Sequence, residues 1–175
     1  MKISFLLSLL IAGAFAAAVQ AELMVGDPAP EFELQGTDGK IYKLSDLRAD
    51  QVVVVAWFPK AKTPGCTKEC KSLRDNGDDL QKYEVAYFTA SCDSPELNKE
   101  FATELELNFP ILSDPDKLVA KEYGVFDDTR GAAKRWTFYI GKDGKVLFID
   151  KEVKTDAHGE DVAKKLEELK VAKKK

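Results

Sequence analysis

A chain of 175 residues, 45% of them hydrophobic, is long enough for one domain with its own core and too short for two comfortable ones. The formal net charge of −4, with no basic patch larger than the Lys173 to Lys175 tail, argues against a nucleic-acid partner. Three cysteines are too few for a disulfide framework, and an odd count leaves at least one thiol unpaired within a monomer.

Taken in order, Met1 to Ala21 has one lysine, an apolar run from Ile3 to Val19 and a small-residue end at Val19-Gln20-Ala21. This is the pattern of a cleavable secretory signal cut after Ala21, giving a periplasmic or secreted protein. The run is short for a spanning helix, so no membrane span is expected once it is removed. Residues 22–175 then form a single domain. Phe32 to Leu34 and Ile41 to Leu44 alternate apolar and polar around Gly36-Thr37-Asp38-Gly39, predicting a hairpin. Val52 to Phe58 is apolar without alternation, as in a strand buried on both faces.

The apolar or small positions 66, 70, 73, 77 and 80 then draw one helical stripe, interrupted near Asn76-Gly77-Asp78 by a kink or a stop and restart. A second buried strand is predicted over Glu84 to Ser91, ending at Cys92. Asp93-Ser94-Pro95-Glu96 opens another helix with Leu97, Phe101 and Leu105 on one face. Asp114-Pro115-Asp116 starts a shorter helix that Gly124 ends, and a polar, mobile segment follows from Asp127 to Lys134. Trp136 to Ile140 and Val146 to Ile149 flank Gly141-Lys142-Asp143-Gly144 as a second hairpin. A last helix carries Val162, Leu166 and Leu169. A βαβ unit followed by a ββα unit gives the α/β, thioredoxin-like order: a central mixed sheet flanked by helices, with the first hairpin as an N-terminal extension.

The chemistry concentrates between Pro59 and Cys70, where the first buried strand ends and a helix begins. In an open sheet ligands collect beyond the carboxyl ends of the strands. A helix N-terminus there offers free N–H groups and the positive end of the dipole, so a thiolate at Cys66 would be stabilised and reactive. Thr63, Pro64 and Gly65 fix the turn before it. The alternative reading, Cys66 as a small buried hydrophobe, leaves that placement unexplained.

Pro59-x3-Thr63-Pro64-Gly65-Cys66-Thr67 resembles the active-site signature of the peroxiredoxins, and the run on to Arg74-Asp75 is similar to their Q-type, or bacterioferritin-comigratory, branch. Phe109 to Asp114 and Arg135-Trp136-Thr137-Phe138 resemble further motifs of the family. The resemblance implies a thiol peroxidase, an antioxidant enzyme reducing hydrogen peroxide or organic hydroperoxides without metal, flavin or other cofactor. Cys66 would be the peroxidatic nucleophile, Thr63 would orient peroxide, and Arg135 would stabilise the thiolate and transition state. Pro59 and Pro64 would shape the turn and limit water access, and Glu69 would hold Arg135.

Attack leaves a sulfenic acid that a second thiol condenses to a disulfide. The Q-type branch usually places that thiol five residues on, where this chain has Lys71; Cys70 comes one residue earlier. Residues four apart on an intact helix hold their Cβ atoms roughly 5–6 Å apart, against the ~3.5–4.5 Å of a disulfide. Pairing Cys66 with Cys70 therefore requires unwinding the first turn. Cys92, ending the strand expected beside Val52 to Phe58, is the alternative resolver, and an external thiol the third. A thioredoxin-like reductant would close the cycle of a monomer or weak dimer. The rival reading is an exported thioredoxin-like copper chaperone using Cys66, Cys70 and His158, the only histidine. Against it, that reading gives Thr63 and Arg135 no role, and a solvated cap before the last helix is the plainer explanation of His158.

Overall fold

The unalternating VVVVAW run forms strand β3 (Val52–Trp57), buried along its whole length, and the sheet is built outward from it. The structure is a computed structural model describing residues 22–174; the predicted signal segment lies outside them. On one side β3 pairs in parallel with β4 (Val85–Ser91), and β4 pairs in parallel with β5 (Ile111–Ser113). Beyond β5 lies the first hairpin, β1 (Glu33–Gly36) and β2 (Ile41–Lys43), with β1 antiparallel to β5. On the other side β3 runs antiparallel to β8 (Thr137–Ile140), which pairs with β9 (Val146–Asp150). The seven strands form one mixed sheet, so the hairpin continues the sheet.

Alternation along β3 feeds two cores. Val53, Val55 and Trp57 pack with Leu34, Phe88, Ala90 and Leu112, covered by Val119 and Ala120 of α5 (Leu118–Glu122) and by Leu44 of α1 (Leu44–Leu47). Val52, Val54 and Ala56 face Leu73 of α2 (Pro64–Asp75), Leu80 of α3 (Gly77–Leu80), and Val162 and Leu166 of α6 (His158–Glu168). The predicted stripe is therefore the buried face of α2 and α3, with the stop and restart at Asn76. Helix α4 (Pro95–Glu104), capped by the Ser94 side chain accepting from Leu97 N–H, sets Phe101 and Leu105 into a third cluster with Phe58, Ile111, Cys66 and Cys70. Among the described residues no helix is long and apolar enough to cross a membrane.

Three expectations need correcting. β5 was not foreseen: it has three residues, follows Phe109-Pro110, and is made by long-range pairing in which Thr37 Oγ1 accepts from Ile111 N–H at 3.1 Å. The short helix begins at Leu118 rather than at Asp114, because Lys117 takes a left-handed φ of 63°. Asp114 still caps it, accepting from Ala120 N–H at 2.7 Å. The segment expected to be mobile instead closes a ribbon of β6 (Phe126–Asp127) and β7 (Ala132–Ala133). Its turn is held by Asp127 Oδ1, which accepts from the N–H groups of Thr129 and Arg130.

Candidate active site

Cys66 sits in the first turn of α2, immediately beyond the carboxyl end of β3, and has no exposed surface. Helix geometry gives Thr63 as N-cap and Pro64 as the first helical residue, where its missing N–H costs nothing. Thr63 C=O accepts from Thr67 N–H at 2.9 Å. That leaves the N–H groups of Gly65 and Cys66 without an intrahelical acceptor, aimed out of the helix end. The loop before the helix is tied to the next strand end, since Asp93 Oδ2 accepts from Ala61 N–H at 2.8 Å. Pro59, at its start, is half-buried.

The Thr63 hydroxyl does not cap α2. It donates to the Lys60 carbonyl at 2.9 Å, so its proton is spent and its lone pairs remain for an incoming O–H. Arg135 reaches the site because Trp136 C=O accepts from Trp57 N–H at 2.8 Å, laying the start of β8 beside the end of β3. Its Nη2 donates to Cys66 Sγ at 3.3 Å, and its Nη1 donates to Glu69 Oε2. Gly65 leaves room for this: a Cβ there would lie 3.3 Å from Nη2. Glu69 is wholly buried on the second turn of α2, one helical turn after Cys66. The site thus brings together Thr63, Pro64, Cys66, Glu69 and Arg135, with Pro59 at the head of the tied loop.

His158 departs from expectation. It is the first residue of α6 and is 1% exposed rather than a solvated cap. Its Nδ1 faces Glu69 Oε1 at 3.2 Å, off the line of a formal hydrogen bond, and its Nε2 lies 2.9 Å from Thr137 Oγ1. The ring faces protein groups on both sides, Glu69 at Nδ1 and Thr137 at Nε2, and is not turned to Cys66 and Cys70. The close approach of α6 to α2 depends on Gly159, whose N–H donates to Ser72 Oγ at 3.0 Å.

A Cβ on Gly159 would stand 2.3 Å from the Ser72 carbonyl oxygen. Alanine there gains up to about 1 kcal/mol in helix propensity. The overpacking costs about 1–3 kcal/mol and has to displace backbone, so Gly159→Ala is expected to lower the urea midpoint of unfolding.

The other two thiols are placed differently from each other. Cys70 is buried in the same cluster as Cys66, with the Thr89 hydroxyl beside it. Burial pushes its thiol up to about 12, with proximity to Cys66 adding to the effect and Thr89 opposing it. Cys92 follows β4, which does neighbour β3, but packs with the Phe88 and Ala90 cluster on the opposite face of the sheet. Burial, then Asp114 and Asp93, push it up to about 11, with Lys117 opposing. Thr137, Thr89 and Gly159 were not singled out from the sequence. Thr137 lies within the Arg135 motif, and the lone histidine at a helix start is the available signal for Gly159; Thr89 carries none.

Residues 25–149 match the AhpC/TSA family. Over 152 residues the chain is 38% identical to Peroxiredoxin Bcp of Escherichia coli, spanning 83% of this chain and 97% of that protein. It is 36% identical over 142 residues to a putative peroxiredoxin of Mycobacterium tuberculosis, spanning 78% and 90%. Among solved structures, Peroxidoxin BcpB from Mycobacterium tuberculosis superposes with a TM-score of 0.78 at 33% identity, covering 84% of this chain and 98% of that one. A cysteine-to-serine mutant of Xylella fastidiosa PrxQ shares the fold with the same TM-score at 24% identity, covering 85% and 98%.

Proposed function

The chain belongs to the AhpC/TSA family, with the Bcp- and Q-type peroxiredoxins as its relatives, and from that premise we propose that it is an exported thiol peroxidase with Cys66 as nucleophile. The observation that carries the assignment is the Arg135 guanidinium, bonded at once to Cys66 Sγ and to buried Glu69. A cation held there by a fixed anion stands beside the nucleophilic sulfur and remains in place as charge moves to the leaving oxygen. Thr63 Oγ1 accepts the hydroperoxide O–H, and the free N–H groups of the first turn receive its oxygens, holding the O–O bond in line with Sγ.

Sγ attacks the terminal oxygen; the S–O bond forms as the O–O bond breaks. The electron pair leaves on the second oxygen, which takes a proton to give water or an alcohol, and Cys66 is left as the sulfenic acid. A thiol then displaces the hydroxyl as water, giving a disulfide that an external thioredoxin-type dithiol reduces.

Cys70 is the resolving thiol we favour. It shares Cys66's helix, face and cluster, whereas Cys92 is across the sheet. In the folded helix Cys70 is protonated and held away by helical geometry, so resolution proceeds through unwinding of the first turn of α2. The copper-chaperone reading loses its third ligand with His158 turned to Glu69 and Thr137. We further propose that residues 1–21 direct export to the periplasm or beyond, with reduction there by a thioredoxin-like partner, and that the protein works as a monomer or weak dimer.

One experiment tests the cycle. Reduced wild type, Cys70→Ser and Cys92→Ser proteins are mixed with one equivalent of hydrogen peroxide, trapped with dimedone and mapped by mass spectrometry. Wild type and Cys92→Ser should give a disulfide between positions 66 and 70, and Cys70→Ser a dimedone adduct on Cys66. A disulfide to Cys92 in wild type overturns the resolver assignment, and an unreacted Cys66 overturns the function.

A further inference from the structure

The ion pair at the site is backed by a residue that peroxide chemistry does not itself use. Only one oxygen of Glu69, Oε2, is taken by Arg135. The other, Oε1, is buried and faces His158 Nδ1 at 3.2 Å, and neither atom has another partner among the described residues. On its far side His158 meets Thr137 Oγ1 at 2.9 Å through Nε2. Thr137 is fully buried on β8, two residues beyond Arg135. The contacts therefore close a ring: Arg135 to Glu69 on α2, to His158 on α6, to Thr137, and back along two residues of backbone to Arg135. The ring's third corner is fixed, since Gly159 is pressed onto Ser72 one helical turn beyond Glu69.

We propose that His158 is a positioning residue for the peroxidase reaction, holding the Glu69 carboxylate so that Arg135 stays aimed at Cys66 Sγ. The inference rests on the peroxidase reading above. An ionised carboxylate only accepts, so the proton of a neutral imidazole facing it belongs on Nδ1, and Nε2 then accepts from the Thr137 hydroxyl. Burial pushes His158 down to about 4, with Arg135 pushing the same way and Asp150 and Asp161 opposing. A neutral donor suits the place. It turns an N–H toward the second oxygen of a buried carboxylate, at 3.2 Å, where a bare oxygen is costly, without setting a second cation against Arg135.

The test is the second-order rate constant for Cys66 oxidation by hydrogen peroxide, read by stopped flow. It is measured for wild type, His158→Leu, His158→Gln, His158→Asn, Arg135→Ala and the Arg135→Ala/His158→Leu double variant. His158→Leu removes both polar contacts, and His158→Gln keeps only the reach to Thr137; each is expected to slow oxidation by about 10- to 100-fold, the scale of a displaced catalytic group. His158→Asn puts an amide N–H near the place of Nδ1 and should stay within about threefold of wild type. In the Arg135→Ala background His158→Leu should change the rate by less than about twofold, because a residue acting only through Arg135 has nothing left to position.

Should His158→Leu fail to fold, the contrast between His158→Gln and His158→Asn decides alone. Equal rates in those two variants, or full additivity in the double variant, overturn the proposal. If wild type itself does not react with peroxide, the peroxidase reading fails first. A reactive wild type with unaffected His158 variants overturns the positioning role and leaves the peroxidase intact.

Discussion

Cys66→Ser is expected to reduce peroxide turnover to the uncatalysed background while leaving the fold in place. The nucleophile in this reaction must be an anion at neutral pH, and a serine hydroxyl beside one guanidinium is not ionised enough to serve. The site has no second base for it: His158 is committed to Glu69 and Thr137. Structurally the exchange is mild. Position 66 is enclosed by Phe58, Ala61 and Phe101, and the smaller hydroxyl keeps a partner in Arg135 Nη2, now 3.3 Å from sulfur. A hydrogen bond retained in a buried site keeps the change in stability within about 1 kcal/mol. Peroxide consumption and the urea midpoint, measured on the same preparation, check both halves. Turnover that persists in a folded Cys66→Ser protein removes Cys66 from the mechanism.

How much of this was legible follows from what each signal depends on. β3 is written in an unbroken apolar run and the α2 stripe in a local helical period, and the structure keeps both, down to the break at Asn76. β5 is not local: three residues after a proline become a strand only because β4 and the first hairpin lie on either side of them. The 127–134 segment hides its ribbon because two-residue strands carry no period at all. Cys92 follows the strand expected beside β3, but adjacency of strands does not settle the face. Position 92 has the parity of Phe88 and Ala90, whereas Thr89, beside Cys70, has the other. Arg135 was reached through its resemblance to a family motif, because nothing in spacing brings residue 135 to residue 66. His158 was misread for the same physical reason: which buried partner meets a helix start is decided by how α6 docks on α2, and that docking is encoded in Gly159 and Ser72 only once both helices are placed.

Arg135→Ala is expected to slow oxidation of Cys66 by about 10²- to 10³-fold, the usual consequence of removing a preorganised donor from a site of developing charge. It should also destabilise the protein. Glu69 has no exposed surface, and without the guanidinium it keeps only the neutral His158 ring. Breaking a buried pair by removing one partner costs about 3–5 kcal/mol. The lower end applies here, because the Arg135 side chain is 21% exposed and water can enter behind it. Arg135→Lys should recover part of the stability and less of the rate, since one ammonium cannot span Glu69 and Cys66 as the two Nη groups do.

The two losses can be separated by removing the pair together. In an Arg135→Met/Glu69→Leu protein no charge is left buried, and a hydrocarbon replacement of similar volume is often neutral or stabilising. Its urea midpoint should therefore return toward wild type while peroxide oxidation stays as slow as in Arg135→Ala. Recovery of the rate along with stability would mean that Arg135 and Glu69 serve only to hold α2 against β8. Recovery of stability alone assigns the pair to the chemistry of Cys66.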